Sequence, residues 1–155
     1  MGVSAIEGSC LCKAVTFAVN AEFEHQPEAY NCQQCRKQTG GFLISVNIQK
    51  RDMRLRGDDH VVWDQSLQEV KRGFCGRCGS TLFWQPLKED YEWIGVSLAL
   101  FDPPLPSKIA KHTFVSEQGS YYDIADKVSQ HLRYLVVPAE GAIERPKQNV
   151  LGQFR

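Results

Sequence analysis

Phe74-Cys75-Gly76-Arg77-Cys78-Gly79 is the stretch from which the rest of the sequence is read. Two cysteines separated by two residues, with glycines between and after them, let backbone N–H groups turn toward thiolate sulfurs. A tetrahedral structural zinc takes four ligands, often as two short-spaced pairs from separate hairpins. The second pair is upstream, Cys10-Leu11-Cys12. If that segment is a straight strand, residues two apart face the same way and both thiols grip one ion from one edge. Four thiolates leave no open position, so Cys10, Cys12, Cys75 and Cys78 are expected to hold a structural ion. Its binding energy, on the order of 10 kcal/mol, would rival the whole stability of a domain, about 5–15 kcal/mol.

The six cysteines of the 155 residues all fall in close pairs. Eight residues, Met1 to Gly8, show neither a basic start nor an apolar run, so a cytoplasmic, reducing setting is expected. There, close cysteine pairs read first as metal ligands and second as redox dithiols. Eighteen basic residues balance eighteen acidic ones, which gives no general electrostatic drive toward nucleic acid or anionic lipid. No stretch approaches the roughly 20 apolar residues that span a bilayer. Neither a nucleic-acid nor a membrane partner is expected, and the oligomeric state stays open.

Working outward, the apolar pattern is mostly of period two. Val15, Phe17 and Val19 alternate with smaller neighbours, and so do Phe42, Ile44, Val46 and Ile48. Further strands are expected at Val61 to Asp64, Thr81 to Trp84, Trp93 to Leu98 and His112 to Val115, separated by glycine and proline turns. Helix is expected only at Gln33 to Gln38 and Asp123 to His131. The fold class is therefore mainly β, short antiparallel strands with little helix. One zinc-binding domain over 1–137 and a polar tail over 138–155 are expected, the tail either extended or docking through Val150, Leu151 and Phe154.

The third pair lies in Tyr30-Asn31-Cys32-Gln33-Gln34-Cys35-Arg36-Lys37-Gln38-Thr39-Gly40. A Cys-x-x-Cys at the start of a helical turn has its thiols near backbone donors, which favours thiolate. Two thiolates fill half a zinc shell and leave room for solvent or substrate.

With its three ordered cysteine pairs, the sequence resembles the glutathione-dependent formaldehyde-activating enzyme family, which includes relatives of centromere protein V. The resemblance rests on Gly8 to Cys12, Cys32 to Lys37 with Thr39-Gly40, and Phe74 to Gly79, and continues through His112 to Ser116 and Tyr122 to Ile124. It implies a zinc-stabilised tent of short antiparallel sheets. It also implies carbon–sulfur lyase chemistry: formaldehyde and glutathione condense to S-hydroxymethylglutathione. Cys10, Cys12, Cys75 and Cys78 match the structural zinc ligands, and Cys32 and Cys35 match two of three cysteines around a second, catalytic zinc. The family's Cys-His-Cys-x-x-Cys is replaced here by Tyr30-Asn31-Cys32-x-x-Cys35, so Tyr30 stands where the first thiolate would be. Tyr30 is then expected to act as third ligand or proton donor, and Arg36 and Lys37 to meet the carboxylates of a glutathione-like substrate or simply to be solvated. Two other functions compete: a non-catalytic zinc-stabilised binding module, and a dithiol redox protein at Cys32 and Cys35.

Plainer roles suit the remaining conspicuous residues. Trp63, Trp84 and Trp93 are expected in the core, His112 as a hydrogen-bonded structural residue, and Asp58-Asp59 in a turn. His25 is a reserve ligand because it is close to Tyr30 in sequence; His60 and His131 are expected at the surface.

Overall fold

A computed structural model describes residues 5–20, 22–102, 105 and 107–134. The polar tail expected over 138–155 lies outside them. The chain runs through β1 (Ile6–Ser9), β2 (Thr16–Val19), β3 (Glu28–Tyr30), helix α1 (Gln33–Thr39), β4 (Leu43–Gln49), β5 (Met53–Arg56) and β6 (Val61–Leu67). It continues through β7 (Val70–Cys75), β8 (Thr81–Pro86), β9 (Trp93–Ser97), β10 (Phe101–Asp102), β11 (Lys111–Thr113) and β12 (Ser129–Gln130). A four-stranded sheet has the order β10-β1-β2-β5, and an eight-stranded sheet the order β12-β11-β3-β4-β9-β8-β7-β6. The protein is mainly β, as expected.

Alternation along the strands builds one core from faces of both sheets. Phe17 and Val19 of β2 join Val46 and Ile48 of β4, Phe83 of β8, and Ile94 and Val96 of β9, all buried. Phe17 meets Phe83 and Phe101 edge-on, with ring centroids 6.2 Å and 5.1 Å apart. The opposite face of the larger sheet carries a different chemistry. Tyr30 pairs with Leu43 and, four residues on along β4, Asn47 pairs with Gly95, Gly95 with Trp84, and Trp84 with Arg72. Residues two apart on a strand share a face, so Tyr30, Ser45, Asn47, Trp84 and Arg72 lie together on it.

Gly57 holds the entry to the turn before β6. It has φ +73°, and a Cβ there would fall 1.9 Å from the carbonyl oxygen of Ala14, so only glycine lets the two backbones approach. Asp58 and Asp59 follow in a 3₁₀ turn, as expected of a turn rather than a carboxylate pair.

Three expectations are corrected. Asp123 to His131 is not a helix. The Asp126 carboxylate accepts from its own chain at Val128 N (3.3 Å) and from His112 Nε2 (2.9 Å), and such a local side-chain bond competes with helical hydrogen bonding. The strands are not all antiparallel: β11 pairs in parallel with both β3 and β12, because the long connection from β3 returns the chain in the same direction. Cys10 and Cys12 are not on a straight strand. β1 stops at Ser9, Lys13 N bonds Cys10 O at 3.0 Å, and Lys13 has φ 60°, so the two thiols stand on a turn.

Of the tryptophans, Trp63 packs on the core against Phe83, whereas Trp84 lies on the opposite face. Trp93 is half-buried and meets His25 edge-on at 4.6 Å. His60 stands 3.9 Å from Asp59, and His131 2.6 Å from the Ser129 hydroxyl.

Candidate functional site

Two separated turns build the four-cysteine cluster. The first is the β1–β2 connection just described. In the second, after β7, Gly79 N bonds Cys75 O at 2.8 Å and Gly76 N bonds His60 O at 2.8 Å, which folds Cys75 to Gly79 into a tight turn. Gly79 sits at φ +75°, where glycine carries no Cβ penalty. Ser80 ties the turns together, its Oγ accepting from Leu11 N at 3.0 Å and lying 3.2 Å from Cys78 Sγ. The sulfurs of Cys10, Cys12, Cys75 and Cys78 all lie within 4.8 Å of one another. Cys10 and Cys12 are 3.6 Å apart, and Cys12 and Cys75 3.8 Å. Tetrahedral Zn–S bonds of about 2.3 Å place sulfurs about 3.8 Å apart, so the spacing fits zinc. The Ser80 hydroxyl brings the Cys78 thiol down to about 5, and Val15 N points at Cys10 Sγ from 3.3 Å. Both prepare thiolates for a cation. Among the described residues, no other group of three or more His, Cys, Asp or Glu side chains converges in this way.

The second centre begins at α1. Cys32 is the N-cap, its Sγ accepting from Cys35 N at 3.3 Å. Gly40, in the left-handed region at φ 84°, closes the other end by bonding Arg36 O. Cys32 is half-buried and Cys35 buried. Hydrogen bonding from the Cys35 thiol, together with its backbone N–H and the Arg72 guanidinium, brings Cys32 down to about 7 against the opposing effect of burial. Hydrogen bonding to Cys32 and burial push Cys35 up. Of the two, Cys32 is the thiol that gives up its proton more readily. Gln33 N donates to Glu117 at 2.8 Å, which ties the start of α1 to the strap beyond β11.

The other residues singled out in the sequence have partners of their own. Tyr30 donates its hydroxyl to Glu28 at 3.0 Å and stacks on Tyr134 with centroids 6.3 Å apart. Glu28 also pairs with Lys111 at 3.0 Å. Asn31, fully buried, anchors the segment before Cys32: its amide donates to His112 Nδ1 and Thr113 O, and its oxygen accepts from Tyr122 at 2.9 Å. His112 is the buried, hydrogen-bonded residue expected. Arg36 is half-buried and Lys37 exposed on α1. Arg72, buried in β7 and acting on both Cys32 and Cys35, did not stand out in the sequence. The signal was present: Val70 and Phe74 flank it at period two, so an arginine alternating with apolar residues was facing inward. A wide surface concavity runs along β1, β2 and the far end of α1, and neither Cys32 nor Cys35 lines it.

The fold and its four-thiol cluster define a mainly β protein with a cysteine centre that could hold a metal ion, and with a separate cysteine pair at the start of α1. Residues 5–117 match the family described as glutathione-dependent formaldehyde-activating enzyme. The chain belongs to that family. It is 28% identical over 118 residues to a Halomonas elongata protein whose name carries the same enzyme description. That match covers 72% of this chain and 64% of the relative. A crystal structure of a Rhodobacter sphaeroides protein is similar at 26% identity and a TM-score of 0.53, over 64% of this chain and 91% of the other. No helix among the described residues is long and apolar enough to cross a membrane.

Proposed function

We propose that the protein makes and breaks the carbon–sulfur bond of small thiol–aldehyde adducts at Cys32 and Cys35, with glutathione and formaldehyde as the first candidates. The supporting observation is the pairing of a reachable thiol with a buried one at the start of α1, on a chain of this family. In the forward direction a substrate thiolate attacks the aldehyde carbon, the carbonyl electron pair moves to oxygen, and a proton completes the hydroxymethyl thioether. In reverse the hydroxyl loses its proton, the carbonyl re-forms and the thiolate leaves. Such a site needs a cationic wall to hold thiolate and alkoxide and a donor to return the proton.

Cys10, Cys12, Cys75 and Cys78 hold a structural zinc in this reading. A second zinc at Cys32 and Cys35 belongs to the same proposal, because two soft thiols are half of its shell. When bound, it would keep a substrate sulfur as thiolate at neutral pH. The chain supplies the rest. Tyr30 shares the sheet face of Arg72, and we assign it the position beside the pair, as third donor or as the source of the proton. Arg36 and Lys37 meet substrate carboxylates at the rim. The working compartment is the cytoplasm.

The engagement of Tyr30 with Glu28 and Tyr134 favours one alternative, a non-catalytic module whose structural shell is intact and whose reactive shell is not. A dithiol redox role for Cys32 and Cys35 is the other.

Carbon-13 exchange spectroscopy on glutathione and labelled formaldehyde at equilibrium tests the proposal. The native protein should speed exchange between free and adduct formaldehyde, and Cys32→Ser should not. No acceleration by the native protein would overturn this reading and leave the binding module and the redox dithiol.

A further inference from the structure

The turn that carries Cys12 is the most open part of the four-cysteine cluster. Leu11, Cys12 and Lys13 are all exposed, Leu11 to 85%. The other three cysteines are better covered: Cys10 is 1% and Cys75 0% exposed, and Cys78 is half-buried. An agent arriving from solvent therefore meets the cluster first at Cys12.

The three neighbours of Cys12 are not equivalent. Cys10 Sγ lies 3.6 Å away but accepts from Val15 N at 3.3 Å, and it is two residues along the chain, where a bridge would close a very small ring. Cys78 Sγ lies 3.2 Å from the Ser80 hydroxyl. Cys75 Sγ comes from the other turn, 63 residues on, and stands 3.8 Å from Cys12 Sγ. Thiols that hold a cation are deprotonated. Peroxide oxidation follows thiolate character and access, and sensitive thiols often stand next to one that resolves the product.

We propose that Cys12 is a peroxide-sensitive modification site and that Cys75 is its resolving partner. The Cys12 thiolate attacks one oxygen of hydrogen peroxide; the O–O bond breaks, a sulfenic acid forms and hydroxide leaves. The Cys75 thiolate then attacks the Cys12 sulfur; the S–S bond forms, the S–O bond breaks and a second hydroxide leaves. Two thiolates lose two electrons and the peroxide gains them. The bridge takes two of the four ligands, so the cation is released. This inference rests on the reading of the cluster as a structural zinc centre and adds a redox control to it.

Zinc per chain is first measured on the native protein and on Cys32→Ser, which keeps the cluster and breaks the other pair. Both are then titrated with hydrogen peroxide while a zinc-sensitive dye follows release. Free thiols are blocked at each step and the bridges mapped by peptide mass spectrometry. In both proteins the first bridge within the cluster should be Cys12–Cys75, with one zinc released for each bridge formed in Cys32→Ser. A first bridge between any other pair of the four overturns the proposal. So does an unbridged cluster at a dose that fully oxidises free glutathione. A cluster that carries no zinc at the outset would fail the zinc reading alone, and the bridge map would still decide this inference. The map needs no substitution within the cluster, so it does not depend on a variant's folding.

Discussion

The side-chain amide of Asn31 donates to Nδ1 of His112 at 3.3 Å, joining residues 81 apart in the chain. With Nδ1 accepting, the ring proton is on Nε2, which donates to Asp126 at 2.9 Å. Tyr122 closes the network by donating to Asn31 Oδ1 at 2.9 Å. The segment that delivers Cys32 is thus fixed by residues from beyond β10.

Asn31→Ala removes the bonds to His112 and Tyr122 and leaves buried partners unsatisfied. It should cost about 2–3 kcal/mol of stability, read from urea unfolding. Tyr122→Phe removes one bond and should cost about 1 kcal/mol. Equal stability of native and Asn31→Ala proteins would contradict the network's role.

The His112 hydrogen bond holds the Asp126 carboxyl below its ordinary 3.8. A carboxyl with a lowered folded-state pKa adds stability that is full above 3.8 and is lost as pH falls through the lowered value. Urea midpoints followed from pH 6 to pH 3 should converge for native protein and Asp126→Asn at the acid end. Parallel curves would show that the carboxylate does not contribute.

Tyr30 carries the assignment that departs most from the family pattern. If it stands beside the cysteine pair, Tyr30→Cys supplies a third thiolate and should raise zinc retained per chain. Tyr30→Phe deletes the bond to Glu28 (3.0 Å) and should cost about 1 kcal/mol. Unchanged zinc in Tyr30→Cys would remove Tyr30 from the site and favour the binding module.

How much of this was legible in the sequence depends on how local each cause is. Cys75 to Gly79 could be read directly, because a metal turn needs its ligands and glycines within a few residues. β2 and β4 were legible from alternation. β3 and β12 were not, since three-residue and two-residue strands carry almost no periodic signal. Asp123 to His131 misled because the Asp126 carboxylate turns back on its own backbone, an effect that composition does not show. Arg72 alternates with Val70 and Phe74, a short pattern whose inward direction becomes plain only once β6, β7 and β8 pair. Ser80 likewise gained its role only when two distant turns met over it.

The central claim is a division of labour between two cysteine centres, and zinc content per chain tests it most directly. It is measured on native protein, Cys75→Ser and Cys32→Ser, each purified without chelator and checked by circular dichroism. The account predicts close to two zincs in the native protein and close to one in a still-folded Cys32→Ser. Cys75→Ser should lose its structural zinc and the fold with it. A folded Cys75→Ser with the native zinc content would contradict the account, because the four-thiol cluster would then hold neither the metal nor the structure.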